Sequence, residues 1–307
     1  MTHSQRSADS PNPLGWMAQT PDVQHLRIDE LILPGTHDSG SDKQSPNWSY
    51  PQEITQDESP LEQLRHGVRV LDLRVSHYDK YPSGDPRRFQ LFHRTSSGRT
   101  IAIDIVEAVR EFFAELESSG AAAREVVILD FHQFDRFTDE VHAELQSMVF
   151  DALGTRVIPY ELRTLSLGRI WDQFPGQNVV IAYNDENVKQ DGWDGVSQRW
   201  AGEVLYNTNT LKRLADRIAA EHKDAFYLHS LQCAKYSLPF HAPTDLSHKV
   251  DEWFESVDEN SYIQNFYIIN TDWTSRSRLV ANCRQANEIR GRRKLSHPNE
   301  ALQPTLR

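Results

Sequence analysis

ILPGTHDSG, residues 32–40, sets the reading of the whole chain. An apolar run meets the turn pair Pro34-Gly35, and two adjacent ionisable residues, His37 and Asp38, follow at once. This is how a short strand delivers chemistry to a common mouth, provided other strands end the same way. They do. Short β-branched runs recur at 31–33, 68–75, 89–92, 126–131, 179–182, 203–206, 226–228 and 266–269, most closing in a polar cluster. Helical periodicity lies between them, clearest over 104–118, where Ile105, Val109, Phe112, Phe113 and Leu116 share a face and Asp104 is placed to cap. Further helices are expected over 210–222 and 278–289. Eight such runs predict an α/β protein, a distorted TIM-type (β/α)8 barrel rather than an open sheet.

The 307 residues suit one barrel of about 250 residues with ends to spare. We expect a flexible segment over 1–20, a barrel over 21–290 and a tail over 291–307. Apolar content of 38% and a mean hydropathy of −0.63 allow a sizeable core, and no apolar run approaches the ~18 residues of a membrane span. MTHSQRSADSPNPLG, at the start, has no apolar core of a secretory signal. Cys233 and Cys283 are too few for a disulfide framework and read as buried thiols. A net charge of −11 disfavours nucleic acid and long-range attraction to an anionic bilayer. RGRRK, residues 290–294, reads as a solvated tail rather than a binding patch.

In a barrel the strand ends face one pocket. There His37 and Asp38 would meet Asp72, Arg74, His93, His132, Tyr183, Asn184, His229 and Asp272. Taken singly each has a plain reading: Asp38 a turn residue, Arg74 an ion partner of Asp72, His93 a surface histidine. Together, several imidazoles, carboxylates and one guanidinium form a catalytic inventory. His66, His77, His132 and His229 fit no zinc-binding spacing.

In order and spacing LPGTHDSG, QLRHGVRVLDLRV, LFH, EVVILDF, VVIAYNDE and YIINTDW resemble the X domain of the phosphatidylinositol-specific phospholipase C superfamily, over about residues 31–273. The likeness is greatest to the small X-domain-only proteins. Calcium-dependent members carry His-Asn and Glu-x-Asp; here His37-Asp38 and Asp72-Leu73-Arg74 are similar to the metal-independent bacterial enzymes. The resemblance implies no metal and no cofactor, with Arg74 acting where calcium acts elsewhere. It implies attack of the inositol 2-hydroxyl on phosphorus, with His37 as base held by Asp272, His93 as acid beside Asp38, and Arg74 on the phosphate. Asp72, His132, Tyr183, Asn184 and His229 would line the substrate, with Tyr206 and Tyr236 at the rim.

The match is imperfect. LFHRT lacks the usual His-Gly, His132 replaces a Lys or Glu, and Tyr183-Asn184 differ from the inositol-contacting types. The implied partner is phosphatidylinositol or a related inositol phospholipid, reached by a monomer through transient membrane contact. Trp48, Tyr50, Trp193 and Trp200 are aromatics for a lipid-facing rim or for loop and core packing. A calcium-dependent site built from Asp38, Asp72 and His132, and a catalytically silent lipid-binding module, are the alternatives.

Overall fold

The computed structural model describes residues 12–120, 123–185, 192–200, 208–237 and 241–297. Its strands are β1 (Leu33–Thr36), β2 (Val70–His77), β3 (Phe89–His93), β4 (Thr95–Thr100), β5 (Val127–Asp135), β6 (Val179–Tyr183), β7 (Trp193–Asp194), β8 (Ser197–Trp200), β9 (His229–Cys233), β10 (Tyr236–Ser237), β11 (Ala242–Pro243) and β12 (Ile268–Thr271). Eight pair in the order β7-β6-β5-β2-β1-β12-β9-β8, every neighbour parallel. Only Gly195 and Val196 separate β7 from β8, so the two edges of the sheet are halves of one segment and the sheet curls into a distorted barrel. The α/β barrel reading holds.

Helices clothe it: α1 (Pro60–Arg65), α2 (Ala108–Ser118), α3 (Asp139–Leu153), α4 (Leu167–Gln173), α5 (Thr208–Ala220), α6 (Ser247–Trp253) and α7 (Leu279–Ser296). Strand alternation sorts the side chains. Outward residues such as Leu71, Leu73, Leu129, Phe131 and Ile181 pack with Val109, Phe112 and Phe113 of α2 and Leu145 of α3. Burial of side chains of this size stabilises by roughly 1.5–3 kcal/mol each. Leu33, Val70, Ile128, Val180 and Ile268 join a second apolar cluster toward the barrel floor. Above this floor the same strands carry Gly35, Asp72, Asp130, Ala182 and Asn270. No described helix is long and apolar enough to cross a membrane.

Several boundaries differ from expectation, each for a local reason. Pro34-Gly35 lies inside β1 rather than after it. Pro34 still accepts a hydrogen bond from the Arg69 amide, and a Cβ on Gly35 would fall 1.8 Å from Asn270 Oδ1. Glycine is required there by the neighbouring strand, not by a turn. The 89–92 run is β3, an antiparallel partner of β2 and β4 rather than a barrel strand. It turns at Arg94, whose φ is +69°. The 226–228 run is loop, with Phe226 at φ +70°, and the strand starts at His229. The run at 203–206 lies outside the described residues.

Asp104 is not the N-cap of its helix: Thr100 caps a π-helical turn over Ile101–Glu107 that leads into α2, and Asp104 reaches back to the Thr100 amide at 2.7 Å. The folded unit also exceeds 21–290. Trp16 and Met17 are core residues, with Trp16 donating to the Gly67 carbonyl at 2.9 Å. RGRRK belongs to α7, not to a tail: Arg290 is half-buried and donates to the carbonyls of Glu30, Gln264 and Phe266. Both cysteines are buried and free.

Candidate active site

Beyond the last rungs of β1 and β12, the chain carries His37 and Asp272 side by side. The His37 amide donates to the Thr271 carbonyl at 3.1 Å, prolonging the ladder by one bond. The His37 ring is fully buried; its Nδ1 lies 2.8 Å from Asp272 Oδ1 and its Nε2 lies 2.6 Å from Arg74 Nη2. A guanidinium only donates, so Nε2 accepts and the ring proton sits on Nδ1, facing the carboxylate.

Arg74 projects from β2, 4.0 Å from Asp72 Oδ2. Burial pulls its pKa down, but the Asp38 and Asp72 carboxylates outweigh this and hold it above the ordinary value. Its Nε–H is buried without a hydrogen-bond partner among the described residues. His132 comes from β5 at a bulge: Leu73 and Arg74 of β2 face Phe131 and Gln133, leaving His132 as the extra residue. Its Nδ1 is likewise buried without a partner, and burial lowers its pKa despite the opposing pull of Asp72.

Asp38 adopts a left-handed backbone, φ +47°, a conformation that Asp tolerates better than most residues. Its amide donates to Asp72 Oδ2 at 3.2 Å. Burial raises its carboxyl pKa, against the attraction of Arg74, His93 and His37. His93 arrives on β3, folded over the barrel mouth, with its ring centroid 6.3 Å from that of His37. Its Nδ1 sits between two acceptors, the Glu53 carbonyl at 3.2 Å and Asp38 Oδ2 at 3.3 Å; only the first is aligned as a hydrogen bond. Burial lowers the His93 pKa, Asp38 opposes, and Arg74 and His37 add to the lowering.

Two imidazoles thus flank one guanidinium, each beside its own carboxylate. Such a set can take a proton on one side of an anion and give one on the other. Arg74 stands among the carboxylates Asp38 and Asp72. Among the described residues no three His, Cys, Asp or Glu side chains converge as metal ligands.

Not every candidate reaches this mouth. Tyr183 points outward: Val180 and Ala182 take the inner face of β6, and Tyr183 packs on Phe131 and Phe134 with its hydroxyl 2.9 Å from His142 Nδ1. His229 opens β9 instead of ending a strand, so it lies at the opposite end of the barrel, beside the Asp224 carbonyl. Asn184 is exposed at the rim and donates to the His132 carbonyl at 3.1 Å. Tyr236 is closer than its weak sequence signal suggested, 6.4 Å from His37 between ring centroids. Trp193 is core, bonded to the Ile158 carbonyl. Trp48 and Tyr50 are 75% and 51% exposed, ring edge to ring face at 4.5 Å. The Trp200 side chain and Tyr206 fall outside the described residues.

Sequence reading missed the polar layer beneath. Gln198 of β8 donates to Asp130 Oδ2 at 2.7 Å and Asp72 Oδ1 at 3.3 Å. Burial, and then the neighbouring Asp72, push the Asp130 carboxyl well above its usual range. The signal was present, because Asp72 and Asp130 occupy equivalent rungs of two strands, two residues inward from Arg74 and His132.

No family model matches the chain. It is 28% identical over 222 residues to human PI-PLC X domain-containing protein 1, covering 62% of this chain and 63% of that protein. Over 78 residues it is 38% identical to a 1-phosphatidylinositol phosphodiesterase of Staphylococcus aureus strain Newman, a match to 24% of this chain and 23% of that one. The phosphatidylinositol-specific phospholipase C of Listeria monocytogenes has the same fold, with a TM-score of 0.65 over 90% of this chain and 99% of that chain at 15% identity.

Proposed function

We propose that this chain, which belongs with the PI-PLC-like X-domain phosphodiesterases, cleaves an inositol phospholipid without a divalent metal. One observation carries the reading: a half-buried guanidinium, Arg74, has a buried Nε–H without a partner among the described residues and lies between two imidazoles that each face a carboxylate. Unpaired buried donors are costly, and an anion is their natural complement.

In the unliganded site Arg74 caps the lone pair on His37 Nε2. A phosphodiester would draw the guanidinium onto its non-bridging oxygens and free that lone pair. His37 then removes the proton of the inositol 2-hydroxyl as its oxygen bonds to phosphorus, and Asp272 favours the imidazolium that forms. The bond from phosphorus to the glyceryl oxygen breaks, and His93 protonates the departing alkoxide. The products are diacylglycerol and inositol 1,2-cyclic phosphate. The nucleophile belongs to the substrate, so much of the entropic barrier is already met. Arg74 stabilises the charge that gathers on phosphorus oxygens.

Phosphorus NMR of phosphatidylinositol vesicles incubated with the protein, with and without EDTA, tests the proposal. A cyclic phosphate resonance growing equally in both is expected. Loss of turnover with EDTA and its return with calcium would defeat the role assigned to Arg74. Lipid binding with no turnover under either condition would make the protein a silent binding module.

A further inference from the structure

Between β1 and α1 the chain runs back across the barrel mouth, and at Gln56 it touches both catalytic strand ends at once. The Gln56 side chain is buried, 2% exposed. Its Nε2 donates to the His37 carbonyl and to the Thr271 carbonyl, both at 2.9 Å. Its Oε1 accepts the Thr274 amide at 3.3 Å. Both amide protons and the amide oxygen are therefore spent on main-chain atoms, one from the loop after β1, one from the end of β12 and one from the turn that follows it.

The preceding residue repeats the pattern: the Thr55 hydroxyl is bonded to the Asp38 and Ser41 carbonyls, and the Thr55 carbonyl accepts the Trp273 amide at 2.8 Å. That turn needs holding, because Trp273 sits at φ +54°, a left-handed conformation unfavourable for a bulky side chain. Asp272 lies between Thr271, which Gln56 grips, and Trp273, which Thr55 grips.

We infer that Gln56 is a positioning residue for the base: a two-pronged latch that fixes the His37 and Thr271 main chains and so sets the His37–Asp272 bond. The inference deepens the proposed function and takes from it the role of His37. Beyond the last rung of the parallel ladder one backbone bond among the described residues, from the His37 amide to Thr271, still ties the two strand ends. Both donor prongs of the latch come from a single nitrogen, so the two carbonyls cannot drift apart without one bond breaking. A misplacement of the order of 1 Å at a reacting group costs roughly 10²-fold in rate.

Gln63 provides the control. It is a second buried glutamine of the same region, whose Nε2 holds the Ser39 and Glu58 carbonyls and whose Oε1 accepts the Thr36 hydroxyl. It supports the β1 loop without reaching the turn after β12. The test compares Gln56→Asn, which is one methylene too short to reach both carbonyls, and Gln56→Met, which keeps the shape without donors, with Gln63→Met. In proton NMR of the unliganded protein, the downfield resonance of the His37 Nδ1–H facing Asp272 should weaken or broaden in both Gln56 variants and persist in Gln63→Met. With phosphatidylinositol vesicles, kcat should fall roughly 10- to 100-fold in the Gln56 variants at nearly unchanged KM. An unaltered His37 resonance in folded Gln56→Asn overturns the inference, as does an equal loss of that resonance in Gln63→Met. The NMR readout needs no turnover, so a silent protein would defeat the proposed function while leaving the latch to stand or fall by itself.

Discussion

His37 and His93 face each other across the mouth, yet the two regions that carry them are built differently. His37 continues a parallel barrel strand, is closed off from solvent, and has both ring nitrogens engaged at 2.8 and 2.6 Å. His93 rides on an antiparallel arm, is partly exposed, and points one nitrogen between two acceptors at 3.2 and 3.3 Å. In the proposed mechanism the barrel fixes a group whose tautomer must be correct before substrate arrives. The arm supplies one that, in the same mechanism, has only to present a proton. Rigid sites belong on regular elements, and adaptable ones are tolerated on hairpins.

The largest effect should come from pitting the two against each other. His37→Ala is expected to lose on the order of 10⁴-fold in kcat, and His93→Ala roughly 10²- to 10³-fold. A substrate whose leaving group is a nitrophenolate needs no proton donor. On it, His93→Ala should recover most of its loss and His37→Ala none. Equal recovery, or recovery by the other variant, would reverse or void the base and acid assignments.

Next in size is the electrostatic support of the arm. Burial lowers the His93 pKa, and Asp38 is the charge that opposes this. Asp38→Asn removes the opposition, so the acid should deprotonate earlier and the alkaline limb of kcat/KM should move to lower pH. A drop of roughly 10-fold at neutral pH is expected, by analogy with the ordinary worth of a proton transfer. A limb that stays in place would show that the Glu53 carbonyl, not Asp38, holds the His93 ring.

The contrast also explains what the sequence disclosed. Barrel strands with unbroken apolar runs, such as 126–129 and 179–182, were legible because burial on both faces enforces β-branched residues. LPGTHDSG and the Asp72-Leu73-Arg74 run were legible through their resemblance to known X domains. The arm was not: FQLFH has the composition of a barrel strand, and only the tight turn at Arg94 makes it half of a hairpin. Tyr183 and His229 were misplaced by one strand face and by one strand end, errors that shifts of one to three residues suffice to produce. Gln56 and Gln198 were invisible because a glutamine that bonds a distant backbone or carboxylate leaves no local pattern. The half-buried Arg290 was hidden likewise, since its partners are carbonyls more than 20 residues away.

A smaller effect should come from the outer edge of the arm's support. The main chain that offers the Glu53 carbonyl to His93 begins at Tyr50, whose amide the Glu53 carboxylate caps at 3.2 Å, and Trp48 packs edge to face against Tyr50. If the mouth acts on lipid as proposed, two exposed aromatics there are suited to the membrane–water interface. Trp48→Ala should weaken sedimentation with phosphatidylcholine vesicles several-fold while leaving cleavage of a short-chain, monomeric substrate within about twofold, as loss of about 1 kcal/mol of contact implies. Unchanged vesicle binding would assign these rings to loop packing.

An effect on stability rather than turnover lies beneath Arg74 and His132, in the acid that Gln198 holds. Asp130 is raised far above its ordinary 3.8, first by burial and then by Asp72, so the folded chain keeps a proton that the unfolded chain releases. Its contribution to stability is therefore complete below pH 3.8 and is lost progressively as pH rises through the folded pKa. Asparagine has nearly the shape of the protonated acid, still accepts from Gln198, and does not titrate. Asp130→Asn should match the parent protein at low pH and overtake it between pH 4 and neutrality by an amount that grows with pH, each pH unit within the window being worth at most about 1.4 kcal/mol. Asp38 and Glu125, also raised by burial, retain their own slopes in both proteins and cancel in the difference. Urea unfolding of the two proteins across this range measures it. A difference that does not vary with pH would mean that Asp130 is ionised in the fold, and that the Arg74 guanidinium is balanced by a third buried carboxylate besides Asp38 and Asp72.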